Sequence, residues 1–285
     1  MNPVHILMAI GVAVLWGMGF IVAKAGMDHF SPILLMALRF TLTAVCLVWF
    51  FRPPLSLSRD LFWVALVSAA IQYSLTFHGL NGIEASTAAL LVQLEVPFGL
   101  ILAWIAFGDK ITLKQVFGIV LAFAGAVLIL GEPRLLGKMN YALMVVGGAF
   151  TWAVGQVMIK RLGEINGFVL ISGVAMFAAP QLFIASALFE QDQWQQVRSA
   201  STEAWAAVIY LGLVMTAVGY AMWYQLLGKY PVYKVMPYLL LLPVTSVFGG
   251  IWLLDETLTT KIAIGGCLAV IGVAIITLRR PSAVR

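Results

Sequence analysis

Charge is scarce in this sequence. Only 10% of its 285 residues are Asp, Glu, Lys or Arg, where a water-soluble domain carries about 25%. Hydrophobic residues make up 62% and the mean hydropathy is +1.00, so too little polar surface exists to wrap a soluble core. A soluble enzyme and a disordered chain are both excluded. The net charge of +5 does not point to nucleic acid, because the basic residues stand singly or in pairs between apolar runs. That pattern orients a chain in a bilayer. Cysteine and histidine are equally sparse. Cys46 and Cys267 lie far apart inside apolar runs, which reads as two packed thiols, neither disulfide nor metal site. His5, His29 and His78 never cluster, and no CxxC or HExxH spacing occurs. No metal, no cofactor and no catalytic group is expected.

What fills the chain is long apolar runs. A spanning helix needs about 20 mostly apolar residues. Ten segments qualify: 5–24, 32–51, 61–80, 86–107, 113–131, 140–160, 167–189, 204–227, 232–254 and 261–279. The fold class is therefore an all-α polytopic membrane protein with short connections. The longest is polar, EQDQWQQVRSASTE from Glu190 to Glu203. The first segment is read as helix one and not as a signal peptide, since its apolar run is too long and no Lys or Arg precedes it. Connections on the N-terminal side hold eleven basic residues, from Arg52 and Arg59 to Arg280 and Arg285. The opposite side holds five: Lys24, Arg134, Lys138, Arg198 and Lys261. Both termini are expected in the cytoplasm, with the chain in the cytoplasmic (inner) membrane.

The two halves repeat. Gly11, Trp16, Gly19 and Lys24 align with Gly147, Trp152, Gly155 and Lys160 at a constant offset of 136. Asp109, Thr112, Gly118 and Gly125 align with Glu256, Thr259, Gly265 and Gly272 at 147, and Pro97 with Pro243 at 146. The boundaries fall at 1–135 and 136–285. Five helices is an odd number, so the second half enters the bilayer upside down. Inverted repeats mark secondary transporters, with the substrate held near the midplane between the halves.

The stretch VMPYLLLLPVTSVFGGIWLLDETLTTKIAIGGCLAVIGVAI (235–275) combines a mid-helix Pro, a small-residue run, an acidic residue before a Leu-Thr turn and a Gly-rich last helix. It resembles the closing part of an EamA-type repeat of the drug/metabolite transporter superfamily. LEVPFGLILAWIAFGDKITLKQVFGIVLAFAGAVLI (94–129) is a weaker copy with Asp109 at the acidic place. AVLWGMGFIVAKAG (13–26) and ALRF (37–40) are similar to the opening helices. The resemblance implies ten helices and export of amino acids or related metabolites, a group that includes the YddG-like aromatic amino-acid exporters.

Ionisable residues at membrane depth are functional candidates by default. Two lie deep, Arg39 in helix two and Glu95 in helix four, and by residue count their depths differ by only ~3 Å. Trp16, Gln72 and Gln93 share the layer, with Tyr73 and His78 nearby. The first half thus offers one polar wall of a cavity open to the outer side in at least one state. The second half offers an aromatic wall: Trp152 with Gln156, then Tyr220, Trp223, Tyr224 and Tyr238. Such a cavity suits an amphipathic solute, with Arg39 for a carboxylate and Glu95 for an ammonium group. Alternatives stay open. Arg39 can instead tie helix two to Glu95 or to backbone carbonyls, the glutamines can be interhelical glue, and the aromatics can be packing or interfacial belt. Pro97 and Pro243 are hinges or static bends. Small residues on helices five and ten serve the scaffold or a homodimer contact.

The expected function is a secondary transporter exporting amino acids or similar metabolites by alternating access. Its partners are a small-molecule substrate and the lipid bilayer, and proton coupling through Glu95 is left open. Nucleotide-sugar or phosphorylated-sugar transport is the alternative, although such substrates need several cationic groups and only Arg39 is deep. A membrane-embedded enzyme is the third reading.

Overall fold

The computed structural model describes residues 1–230 and 232–278, except for the side chains at 224, 227, 228, 232 and 233. Among these residues there is no strand, and nine helices are long and apolar enough to cross a membrane. With the shorter Pro32–Leu47 they make a set of ten. They are α1 (Pro3–Gly26), α2 (Pro32–Leu47), α3 (Leu55–Gly82), α4 (Ala85–Phe107), α5 (Leu113–Leu130), α6 (Met139–Arg161), α7 (Gly167–Phe189), α8 (202–229), α9 (232–253) and α10 (Thr260–Thr277). A short surface helix, Gln193–Ser199, lies in the long polar connection.

Local chemistry sets the ends. Pro3 and Pro32 occupy first-turn positions, where the missing N–H costs nothing. Thr112 and Gln115 form a reciprocal capping box at the start of α5, and Thr259, 147 residues on, caps α10 through the amide of Ile262. The turns before these caps are left-handed at repeat-related positions, Gly108 (φ 70) and Asp255 (φ 52). Gly takes this conformation freely, and Asp tolerates it better than most residues.

The helices pack across the halves. α1 lies on α8 and α9, and its counterpart α6 lies on α3 and α4. α2 pairs with α7, and α5 with α10. The second pair is the closest. A Cβ on Gly272 would sit 2.6 Å from the backbone of both Gly118 and Ala122, and one on Gly118 2.8 Å from the Gly272 carbonyl. The small residues foreseen for scaffold or dimer contact are therefore spent within the chain, letting α5 and α10 touch backbone to backbone. At 16 residues α2 is about 24 Å long, short of the ~30 Å apolar layer. Its N-terminus is met inside the protein by Glu190, whose carboxylate accepts from the amides of Ile33 (2.7 Å) and Leu34 (3.0 Å).

Four helices are irregular at mid-depth, in two repeat-related pairs. α3 winds as a π-helix over Leu66–Ile71, and α8 over Tyr210–Val218. α4 is broken between Val92 and Glu95, and α9 passes through a 3-10 segment at Met236–Leu240 before resuming at Leu241. Pro97 and Pro243 are each the third residue of the resumed half. The sequence reading placed a kink at each proline. The interruption lies just upstream, and each proline stands in a first turn, where it sacrifices no helical hydrogen bond.

Substitution of Gly272 by Leu is expected to lower the unfolding midpoint in detergent by several degrees, because backbone atoms of α5 cannot give way. Gly99→Ala, where an added Cβ meets nothing within 4 Å, is expected to leave the midpoint unchanged or slightly raised. Fluorescence-detected thermal melts compare the two.

Candidate functional site

The irregular segments of all four helices border one cavity of about 450 Å3 between the halves. α3 contributes Ser68 and Tyr73, α4 contributes Gln93 and Glu95, α8 contributes Thr216, Tyr220 and Trp223, and α9 contributes Leu239 and Leu240. Trp16, Arg39, Trp152 and Gln156 come from α1, α2 and α6. Interrupted helices turn backbone dipoles and side chains inward at a depth where regular helices would show only a smooth apolar face.

Among the described residues Arg39 is the most buried charge, 1% exposed. Its partners are neutral. Nε (3.2 Å) and Nη2 (3.0 Å) both donate to the Thr216 hydroxyl. Nη2 also reaches the Tyr73 hydroxyl at 3.5 Å, and Nη1 meets the Met36 sulfur at 3.8 Å. The guanidinium lies over the Tyr73 and Phe40 rings, 4.8 and 5.3 Å from their centroids. Among the described residues the ion pairs are Arg134–Glu84 and Lys160–Asp109, so Arg39 and Glu95 share the cavity without bonding to each other. The reading in which Arg39 ties α2 to Glu95 does not hold in this conformation.

The two walls do not divide by half as the sequence suggested. Trp16, from the first half, stands in the aromatic group: its Nε1 donates to the Met215 carbonyl (3.1 Å), and its ring lies 5.0 Å from Tyr220 and 5.7 Å from Trp223. The indole rests on α8 at Gly219, where a Cβ would come within 2.6 Å of its nitrogen. Thr216, from the second half, holds the arginine of the first.

Of the anticipated site residues, Trp16, Arg39, Tyr73, Gln93, Glu95, Trp152, Gln156 and Tyr220 line the cavity. Three lie elsewhere. Gln72 is buried and donates along its own helix to Thr76 Oγ1 (3.0 Å). His78 stacks on Tyr141, and Tyr238 packs with Ala9, Val12 and Trp223. The Tyr224 side chain falls outside the described residues. Residue counting along an ideal helix gives depth, but the π-turn in α3 alters which residues face inward. Thr216, Ser68 and Phe40 were not anticipated, because an isolated Thr, Ser or Phe in an apolar run carries no signal of its own.

The cavity runs from this layer toward the face that carries the N-terminus, past Ile159, Leu170, Met236 and Thr277, which stand near helix ends on that side. The sequence reading had it open to the other side in at least one state. In this conformation the opposite side is closed. Phe20 and Phe77 stack beyond Tyr73. Lys24 Nζ donates to the carbonyls of Leu80, Asn81 and Ile83 at 2.7–2.9 Å, capping the end of α3. The Glu256 carboxylate accepts from the amides of Ala85 and Ser86, capping the start of α4. Burial and the nearby Glu256 carboxylate push the Glu84 carboxyl above its usual range. Cations at helix C-termini and anions at N-termini are the favourable placements.

Comparison with known proteins agrees with this architecture. The EamA-like transporter family matches residues 4–131 and 139–278. A probable amino-acid metabolite efflux pump of Escherichia coli (strain K12) is 32% identical over 280 residues, 94% of this chain and 93% of that protein. Its counterpart in Salmonella typhimurium is 32% identical over 279 residues, with the same coverage. A probable terminal-alkyne amino-acid exporter of Streptantibioticus cattleyicolor is 27% identical over 281 residues, 93% of this chain and 91% of that protein. A solved crystal structure superposes with a TM-score of 0.66 at 20% identity over 98% of both chains, which shows a shared fold.

With Cys46 and Cys267 replaced by serine, cysteines at Ile159 and Thr277 are expected to react with a membrane-impermeant maleimide applied from the N-terminal face. Cysteines at Phe20 and Phe77 are expected to be protected from either side. Mass-shift labelling in vesicles of known orientation reads the difference.

Proposed function

The chain belongs to the EamA-like transporter family, and we propose that within it the chain exports amino acids, or close amphipathic relatives, from the cytoplasm. The supporting observation is the pair of opposite charges, Arg39 and Glu95, facing one cavity without bonding to each other. Burying a charge without an opposite partner is costly. A zwitterion supplies both missing partners at once, its carboxylate to Arg39 and its ammonium to Glu95. The Trp16, Tyr220 and Trp223 group and the leucines of α9 receive an apolar side chain. A single deep guanidinium fits one carboxylate better than the several negative charges of a nucleotide sugar.

Alternating access follows from the inverted repeat. Lys24 and Glu256 correspond to Lys160 and Asp109, at opposite ends of the molecule. Here the first couple latches α3 and α4, while the second pairs with itself at 3.1 Å on the surface, Lys160 lying over Phe107. With both termini cytoplasmic, as the basic residues favour, this is an inward-open state. Exchange of roles between the couples opens the cavity to the exterior.

Arg39→Ala is expected to cut initial uptake of labelled amino acids into proteoliposomes by at least about 30-fold. Undiminished transport would overturn the reading. Proton coupling is tested on Glu95→Gln, which is expected to abolish accumulation driven by a pH gradient while leaving downhill exchange measurable. Lys24→Met is expected to expose a cysteine at Phe77 to maleimide from the side opposite the N-terminus.

A further inference from the structure

Arg39 reaches the cavity from the middle of a short helix, and something must aim it. Its principal contact is a single hydroxyl on the other half of the protein. Thr216 Oγ1 donates its one proton to the Leu211 carbonyl, five residues back, at 2.7 Å. That spacing is the register of the π-helix it sits in, Tyr210–Val218. With its proton committed, the oxygen can only accept, and it accepts from both Nε and Nη2 of Arg39. A residue step in an α-helix is about 100°, so one residue more or less in this turn would carry the hydroxyl off the guanidinium. The two helices are locked together just beside this contact: Thr43 Oγ1 bonds the carbonyls of both Arg39 (3.0 Å) and Gly212 (2.9 Å). Gly212 permits the approach, since a Cβ there would sit 3.0 Å from the Arg39 carbonyl.

We propose that Thr216 is the positioning residue for substrate carboxylate recognition. It holds one edge of the Arg39 guanidinium through a neutral acceptor and leaves the Nη1 edge, beside only the weakly accepting Met36 sulfur, for the carboxylate. This inference rests on the proposed reading of Arg39. A carboxylate at position 216 would hold the same edge but neutralise the charge the substrate needs. The π-turn delivers an acceptor without a charge. Because Arg39 and Thr216 lie on opposite halves, the contact also makes the arginine's aim depend on how the halves are seated.

The test uses the full chain in proteoliposomes with labelled leucine, phenylalanine, methionine and threonine as probes, and phenethylamine as a competitor that lacks the carboxylate. Thr216→Val is expected to raise KM about tenfold, the value of one hydrogen bond to a charged group, with Vmax nearly unchanged. Phenethylamine inhibition is expected to stay at the wild-type level, and Thr216→Ser to restore KM. Should the Val variant fail to give a monodisperse protein, Thr216→Ala carries the same expectation. Equal weakening of amine and amino acid, or a serine variant no better than valine, would show a merely structural role and overturn the proposal. An unchanged KM in Thr216→Val beside a raised KM in Arg39→Ala would overturn it while leaving the Arg39 reading intact. An unchanged KM in Arg39→Ala, or a wild type that takes up none of the probes, would overturn both.

Discussion

The arrangement depends on one buried guanidinium without an anionic partner. Placing a charge in the interior of a membrane protein costs several kcal/mol unless it is paired or hydrogen-bonded. Arg39 is supplied with everything short of a counter-ion: a hydroxyl that can only accept, a phenol, a thioether and two ring faces. Each partner lowers the cost of keeping the charge, and none cancels it. The helix that carries it is short, and its first-turn amides are met by Glu190 from the end of α7. The irregular helices around it form the second half of the same solution. Regular α-helices in a lipid-filled layer offer no free polar groups. A π-turn in α8 and a break in α4 bring Thr216 and Glu95 to a cavity that is otherwise aromatic and aliphatic.

Much of this was legible in the residues and some was not, for a physical reason. Span positions follow from hydrophobic runs. The repeat match of Thr112 with Thr259 falls on two helix caps, and the small residues read as scaffold or dimer contact, Gly118, Gly125, Gly265 and Gly272, pack α5 on α10. The deep charges stood out because the surrounding sequence is apolar. Helix irregularity leaves no such mark. The segments LVSAAI and YLGLVMTAV read as ordinary helix and are wound as π-helix in the structure. Depth by residue count says nothing of facing, and Gln72, just past the π-segment of α3, turns to Thr76 of its own helix and not to the cavity. Trp16 was assigned to a polar wall by depth alone. Its place among Tyr220 and Trp223 depends on Gly219, a small residue across the interface whose significance one helix cannot reveal.

The symmetry of the latches and the asymmetry of the site do different work. Lys24 and Glu256 cap α3 and α4 at one end, and their repeat counterparts Lys160 and Asp109 pair with each other at the other end, so on the proposed reading both faces carry groups that can latch. A transporter needs that balance, because a ligand shifts an equilibrium only by its differential affinity for the two states. Binding residues are under the opposite constraint. One substrate must be read in one orientation, and duplicated charges would place a second arginine against the first. The repeat-related position of Arg39 is Ala175, fully buried, and that of Glu95 is Leu241. Arg39 and Glu95 therefore have no charged counterpart at the repeat-related positions, and on the proposed reading they leave one carboxylate subsite and one ammonium subsite inside a two-fold frame. In the proposed alternating-access cycle the frame exchanges its open ends while Arg39, bonded to Thr216 of the opposite half, responds to how the halves are seated. On the proposed reading, coupling between substrate and conformation resides in that interhalf hydrogen bond, the point where the asymmetric site touches the symmetric scaffold.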